Sequence, residues 1–214
     1  MNIRPLESNI VSAIQESTVE VFSSMFMIDV KSEESCIKDE KNIFTDLISS
    51  LHFFGQKYMG KIAIFTYGST ACHLAGTMLG IEALEIDEDV KDGMGEIVNM
   101  IAGGAKNRLE STMGELHLLT PWVIAGKKLT IASPPGGESG LSIESQAQFS
   151  WIMTRFSYDK GHFDVGVQPN EVPKSYTIDS DKKMDMNALQ AENRDLKDKI
   201  ASLKVTISTT HSVV

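Results

Sequence analysis

Apolar residues recur at helical spacing in two long stretches of the chain. The first covers about residues 7–26, and Pro5 lies just before it, where proline suits the start of a helix. The second covers about residues 88–113. Between them, residues 68–70 are typical of a helix start, and Gly80 is typical of a helix end. The pattern therefore predicts two long helices with a shorter helix between them.

Shorter apolar runs, several of them alternating, predict strands. These runs are separated by turn residues, among them Pro134–Pro135–Gly136–Gly137. Strand and helix patterns are grouped along the chain and do not alternate strictly. This grouping favours an α+β fold in which a largely antiparallel sheet packs against the two long helices. The predicted strands cover residues 44–54, 58–67, 116–123, 128–132, 146–158 and 162–167.

The C-terminal fifth of the chain has a different pattern. Residues 169–183 are polar and proline-marked, as in a linker. Beyond them, apolar residues recur in steps of three and four. Leu occupies one core position and Met186, Asn193, Ile200 and Ile207 occupy the other, a layout that is typical of a parallel two-stranded coiled coil. An amphipathic helix that docks on its own domain is the alternative. The predicted division is a domain at 1–168, a linker at 169–183, a coiled coil at 184–207 and a disordered tail at 208–214.

Composition and charge narrow the class of protein. The 214 residues include 20 basic and 29 acidic side chains, for a formal charge of −9, which weighs against a nucleic-acid partner. Residues 1–180 hold 14 basic and 24 acidic side chains, so the acidity belongs to the folded domain. The chain has no apolar run long enough to span a membrane, and Cys36 and Cys72 have no metal-ligand spacing. We therefore expect a cytoplasmic protein with no membrane association.

Polar residues gather on one side of the second long helix. At about 100° per residue, Asp92, Glu96, Asn99, Gly103 and Asn107 share a face that should meet solvent. Asparagine can hold a water while it bonds a second group, and glutamate can pair with a lysine of a partner. The glycines at 103–104 disfavour a helix by about 1 kcal/mol each, which suggests a close approach to the backbone. An ordinary solvated helix face is the alternative that this local pattern leaves open.

The spacing of these residues resembles a known family signature. Asp92, Glu96 and Asn99, with Pro121 further along, match the pattern of the CheC/CheX/FliY chemotaxis phosphatases, in which Asp or Ser precedes Glu, Asn and a later proline. Glu16 and Glu20 of the first helix have no asparagine three residues on. A single motif resembles the CheX branch, which is homodimeric. The resemblance covers about residues 1–168 in the order of the elements and is specific over about residues 60–121.

The resemblance implies a substrate and a role for each of the candidate residues. The substrate would be the phosphoaspartate of a CheY-like response regulator, which brings its own Mg²⁺ and lysine, so this chain would need no cofactor. Asn99 would position the attacking water, Glu96 would engage the regulator's lysine, and Asp92, Gly103 and Asn107 would contact the partner. Two alternatives remain: a non-catalytic regulator-binding module tethered by the coil, and an oligomeric structural protein that carries the motif by chance.

Overall fold

The computed structural model describes residues 5–39, 43–130 and 150–172. Its three helices lie where the sequence predicts them, and Gly80 ends the second helix in the left-handed conformation with a φ of 69°. The Asp87 side chain caps the third helix by accepting a hydrogen bond from the backbone N–H of Val90 at 2.9 Å. The helices are α1 Pro5–Met25, α2 Gly68–Leu79 and α3 Glu88–Met113.

The strands of the described residues form one sheet in which every pairing is antiparallel. The strands are β1 Lys31–Ser32, β2 Cys36–Asp39, β3 Phe44–Gly55, β4 Tyr58–Thr66, β5 Leu116–Leu118, β6 Trp122–Thr130, β7 Ser150–Tyr158 and β8 Gly161–Glu171. Their order is β1-β7-β8-β4-β3-β5, while β2 also pairs with β7 and β6 also pairs with β3. The predicted antiparallel α+β architecture is confirmed.

Several strand boundaries differ from the predicted ones. The expected strand at 116–123 is divided, because β5 ends at Leu118 and β6 starts just after Pro121, which has no backbone N–H to donate to a ladder. The expected break between the predicted strands 116–123 and 128–132 is absent, and β6 continues through Gly126. Strand β8 extends beyond 167 to Glu171, with Pro169 opposite Gly60 of β4. Strands β1 and β2 are too short for an alternating pattern to be visible in the sequence.

The helices cover one face of the sheet and form the main core with it. Leu47 and Leu51 of β3 point toward the helices together with Ile62 and Ile64 of β4, and all four are buried. A smaller apolar cluster lies on the opposite face of the sheet and includes Trp151. No helix among the described residues is long and apolar enough to cross a membrane.

The predicted linker, coiled coil and tail lie mostly outside the described residues. Residues 173–214, which include the whole heptad pattern, fall in that part of the chain. The division into domain, linker and coil therefore stays a prediction.

Candidate functional site

Helix α3 has a buried face and an exposed face, as its sequence pattern predicts. Asp92, Glu96 and Asn107 are exposed, while Asn99 and Gly103 are half-buried. The opposite face is fully packed into the core by Met94, Val98, Ile101, Ala105 and Leu109. Glu96 and Asn99 therefore stand one turn apart on the outer surface of a helix whose inner surface is fixed.

Two buried hydroxyls attach α3 to its neighbours on either side of this pair. Ser49 of β3 donates a hydrogen bond from Oγ to the carbonyl oxygen of Met94 at 2.8 Å. Ser17 of α1 donates from Oγ to the carbonyl oxygen of Ile101 at 2.7 Å. Both serines are fully buried. A buried hydroxyl that lost such a bond would cost about 1–3 kcal/mol, so these contacts hold α3 in register with the sheet and with α1.

The glycines of α3 serve different purposes. A Cβ on Gly93 would lie 3.0 Å from Ala75 Cβ of α2, and a Cβ on Gly104 would lie 3.2 Å from Ser17 Cβ and in hard contact with Ser17 Oγ. These two glycines allow the neighbouring helices to approach. A Cβ on Gly103 would have no atom within 4 Å. The close approach that the glycine pair suggested is therefore made at Gly104 by α1, while Gly103 leaves open space beside Asn99.

The proline of the motif lies next to the helix of the motif. Pro121 Cγ is 3.9 Å from the position that a Cβ would take on Gly95, the residue before Glu96. Val123 Cγ2 is 3.7 Å from the same position. The tertiary structure thus brings Glu96 beside the connection between β5 and β6, although Pro121 is 25 residues away in the chain.

The site is acidic, and its two central side chains have no partner in the described part of the chain. Among the described residues, neither Glu96 nor Asn99 has a hydrogen-bond or ion-pair partner. Residues 80–96 contain seven acidic side chains and one basic side chain, Lys91, which pairs with Glu88 at 2.6 Å. Within the same described part of the chain, no group of three or more His, Cys, Asp or Glu side chains could hold a metal ion. The exposed Glu96 carboxylate and the half-buried Asn99 carboxamide therefore lie where a partner can reach them.

The comparisons with known proteins agree with the motif. The family model described as "Chemotaxis phosphatase CheX" matches residues 47–146, a range that contains Asp92, Glu96, Asn99 and Pro121. The predicted resemblance to the chemotaxis phosphatases is confirmed. No curated protein matches the chain in sequence.

Solved structures of CheX and CheC-like proteins share the fold. A CheC-like superfamily protein from Shewanella sp. PV-4 is 25% identical, with a TM-score of 0.63 over 79% of this chain and 99% of its own. The chemotaxis protein CheX from Vibrio vulnificus is also 25% identical, with a TM-score of 0.62 over 75% of this chain and 99% of its own. The CheX of a CheX–CheY–BeF₃–Mg²⁺ complex from Borrelia burgdorferi is 17% identical and shows the fold alone, with a TM-score of 0.58 over 76% of this chain and 98% of its own.

The two glutamates of α1 that lack the motif's asparagine, Glu16 and Glu20, pair with an arginine of α3. Arg108 of α3 donates from Nε to Glu16 at 3.2 Å and from Nη2 to Glu20, and a further bond from Nη1 reaches the Gly104 carbonyl at 3.1 Å. The hydrogen bond to Glu20 is the main reason that the pKa of Arg108 is raised. The spacing within α1 carries no sign of this pairing, because Arg108 is 88 residues from Glu20. These glutamates thus tie α1 to α3.

The structure places all five predicted site residues along one helix. It brings Glu96 and Asn99 together, keeps Asp92 within the first two turns, and sets Gly103 and Asn107 one and two turns beyond Asn99. The sequence did not indicate Ser17 and Ser49, which hold this helix. The one available signal is their position in the pattern, since Ser17 follows Ile14 at helical spacing and Ser49 lies between Leu47 and Leu51 on the alternating strand. The roles of the five residues in binding or catalysis stay predictions.

Proposed function

We propose that this protein is a phosphatase that removes the phosphoryl group from the phosphoaspartate of a CheY-like response regulator. The observation that carries the proposal is the Glu96/Asn99 pair. Within residues 5–39, 43–130 and 150–172 neither side chain has a hydrogen-bond or ion-pair partner, and the two lie one turn apart on the outer face of α3, inside the region that matches the CheX family model. The fold is shared with a CheX that was solved in complex with CheY.

In the proposed mechanism, each of the two residues has one task. The carboxamide of Asn99 enters the regulator's site and holds a water in line with the phosphorus, and the Glu96 carboxylate pairs with the regulator's lysine. Phosphoryl transfer depends mainly on positioning and on charge stabilisation, so a positioned water is valuable without a base. The Mg²⁺ belongs to the regulator, and this chain contributes no cofactor.

The other predicted residues belong to the contact surface. Gly103 follows Asn99 by one turn, and its open space lets a partner's backbone or side chain come close to the helix. Asp92 and Asn107 are exposed at the two ends of the same stripe. We expect all three to contribute to regulator binding, and we expect the protein to be a homodimer.

The proposal is tested by measuring the loss of acyl phosphate from phosphorylated receiver domains of the host. Asn99→Ala should lower kcat about 100-fold or more, a typical effect of removing one group that acts on the transition state. The matched control is Asn9→Ala, because Asn9 is an exposed amide on α1 whose described contact is a 3.3 Å hydrogen bond to Thr112. Asn9→Ala should retain wild-type turnover.

Two results would contradict the mechanism in different ways. If Asn99→Ala is as active as the wild type, Asn99 does not position the water. If the wild type binds a phosphorylated receiver domain and no receiver loses its phosphoryl group faster in its presence, the protein is a binding module.

A further inference from the structure

The last residue of α2 and the connection that follows it expose three large apolar side chains. Leu79 is 41% exposed, Ile81 is 47% exposed and Leu84 is 87% exposed. We call these three residues the Leu84 patch. Scattered apolar residues on a surface are ordinary, but three of them within six residues of one connection mark a candidate contact surface.

The backbone of this connection is held in place, so the exposure is not that of a loose loop. Gly80 adopts the left-handed conformation that ends α2, and the N–H of Ile81 donates to the carbonyl oxygen of Gly76 at 3.0 Å. A Cβ on Gly76 would lie 2.8 Å from the Ile81 carbonyl oxygen, so the connection packs directly on α2. At its other end, Ile86 lies 3.6 Å from the position of a Cβ on Gly68. The patch is therefore presented by a fixed backbone.

The Leu84 patch adjoins the Glu96/Asn99 stripe. Leu79 Cδ1 is 3.7 Å from the position that a Cβ would take on Gly93, and Gly93 is one turn of α3 before Glu96. A partner that places a lysine against Glu96 and a phosphorylated site against Asn99 would bring its neighbouring surface toward Leu79. One end of the Leu84 patch thus packs against the start of α3, next to Asp92 in the chain and one turn before Glu96.

The acidic side chains around the Leu84 patch indicate the charge of a partner surface that would bind there. Glu82 and Glu85 stand within the connection, and Asp89 and Asp92 follow in the first turns of α3; all four are exposed. Lys91 is the one basic residue among residues 80–96, and it is already paired with Glu88. Opposite charges steer association and like charges disfavour it, so this rim favours a basic surface and rejects an acidic one.

We propose that the Leu84 patch is a docking surface for the response regulator, and that the matching regulator surface carries apolar side chains flanked by lysine or arginine. This inference rests on the proposed function, since it assigns the same partner to both features. Glu96 and Asn99 act on groups that receiver domains share, whereas the Leu84 patch distinguishes one receiver domain from another. The patch is thus a determinant of specificity outside the catalytic pair.

The test separates KM from kcat for a receiver domain that the wild type dephosphorylates. Leu84→Ala should raise KM about tenfold, because a buried leucine contact is lost, and should leave kcat within about twofold. Glu85→Lys should raise KM and should reduce the dependence of KM on salt. The controls are Phe44→Ala, an exposed apolar residue of β3, and Glu110→Lys, an exposed acidic residue near the end of α3. Both controls should retain the wild-type KM.

Equilibrium binding of the same variants to the phosphorylated receiver domain is measured in parallel, so the inference is judged even if turnover is absent. Unchanged KM and unchanged affinity in Leu84→Ala would overturn the inference while leaving the proposed function intact. A change in sedimentation of Leu84→Ala without a change in KM would also overturn it, since the patch would then contact a second copy of this chain. A wild type that neither binds nor dephosphorylates any receiver domain would overturn both proposals.

Discussion

The two adjacent glycines of α3 should respond in opposite directions to the same substitution. Gly103 and Gly104 are both helical, and alanine has the higher helix propensity by about 1 kcal/mol. A Cβ on Gly103 would meet open space, whereas a Cβ on Gly104 would enter the volume of the Ser17 hydroxyl. Comparing the two alanine variants therefore separates the effect of α1 packing against α3 from the effect of helix propensity.

The size of the difference follows from the contacts. Gly103→Ala should raise the free energy of unfolding by about 0.5–1 kcal/mol, from propensity alone. Gly104→Ala gains the same propensity but overpacks the helix contact, at about 1–3 kcal/mol. It also displaces the Ser17 hydroxyl from its 2.7 Å bond to the Ile101 carbonyl oxygen. The lost buried bond costs about 1–3 kcal/mol more, and after the propensity gain is subtracted the net result should be a destabilisation of about 1–5 kcal/mol.

The free energies of unfolding of both variants and of the wild type are measured by urea denaturation at constant temperature, monitored by circular dichroism. Gly104→Ala should unfold at lower urea than the wild type, and Gly103→Ala at the same or higher urea. Adding Ser17→Ala to Gly104→Ala should recover part of the loss, because the obstructing Oγ is removed. A Gly104→Ala protein as stable as Gly103→Ala would refute the close packing of α1 and α3 described here.

Two further predictions concern pH and the C-terminal segment. Burial and the nearby Lys160 lower the pKa of His73 from its ordinary value of 6.5, while Asp159 has the opposing effect. Because the unfolded chain therefore binds more protons below pH 6.5, the free energy of unfolding should fall as the pH drops below that value. In a pH series of urea denaturations, the free energy of unfolding of His73→Phe, which keeps a ring stacked on Tyr158, should fall less steeply than that of the wild type. Deletion of residues 184–214 should weaken the expected dimer, because it removes the predicted coil, and a dimer dissociation constant that sedimentation finds unchanged would contradict that role.

The helices illustrate what local sequence can predict. The boundaries of α3 agree with the predicted range of 88–113, because its signals lie within the helix and its caps: the Asp87 cap, the acidic first turn and an apolar period that stays in phase throughout. The same period separates Glu96 and Asn99 from the buried face. Both the helix and the position of this pair on its outer face could thus be predicted without any knowledge of the tertiary structure.

The sheet illustrates what local sequence cannot predict. Strand β6 continues through Gly126 because its backbone is supported from elsewhere: Asp46 of β3 accepts a hydrogen bond from the Lys128 N–H at 3.1 Å, where Lys128 has a φ of 55°. The register of β3 against β6 shifts between Thr45 and Leu47 at this point. Such an irregularity depends on a residue 82 positions away, so no window of neighbouring residues reveals it.

The sequence by itself determined the helices, the antiparallel α+β class and the Glu96/Asn99 face, since each depends on residues close together in the chain. The tertiary structure decided how that face is supported and surrounded. It filled the space beside Gly104 with Ser17 and left the space beside Gly103 open. It also placed Pro121 beside Gly95 and paired Arg108 with the glutamates of α1. Each of these contacts joins segments that are distant in the sequence. They are determined by the close packing of whole helices and strands, and the local spacing of apolar residues carries no information about that packing.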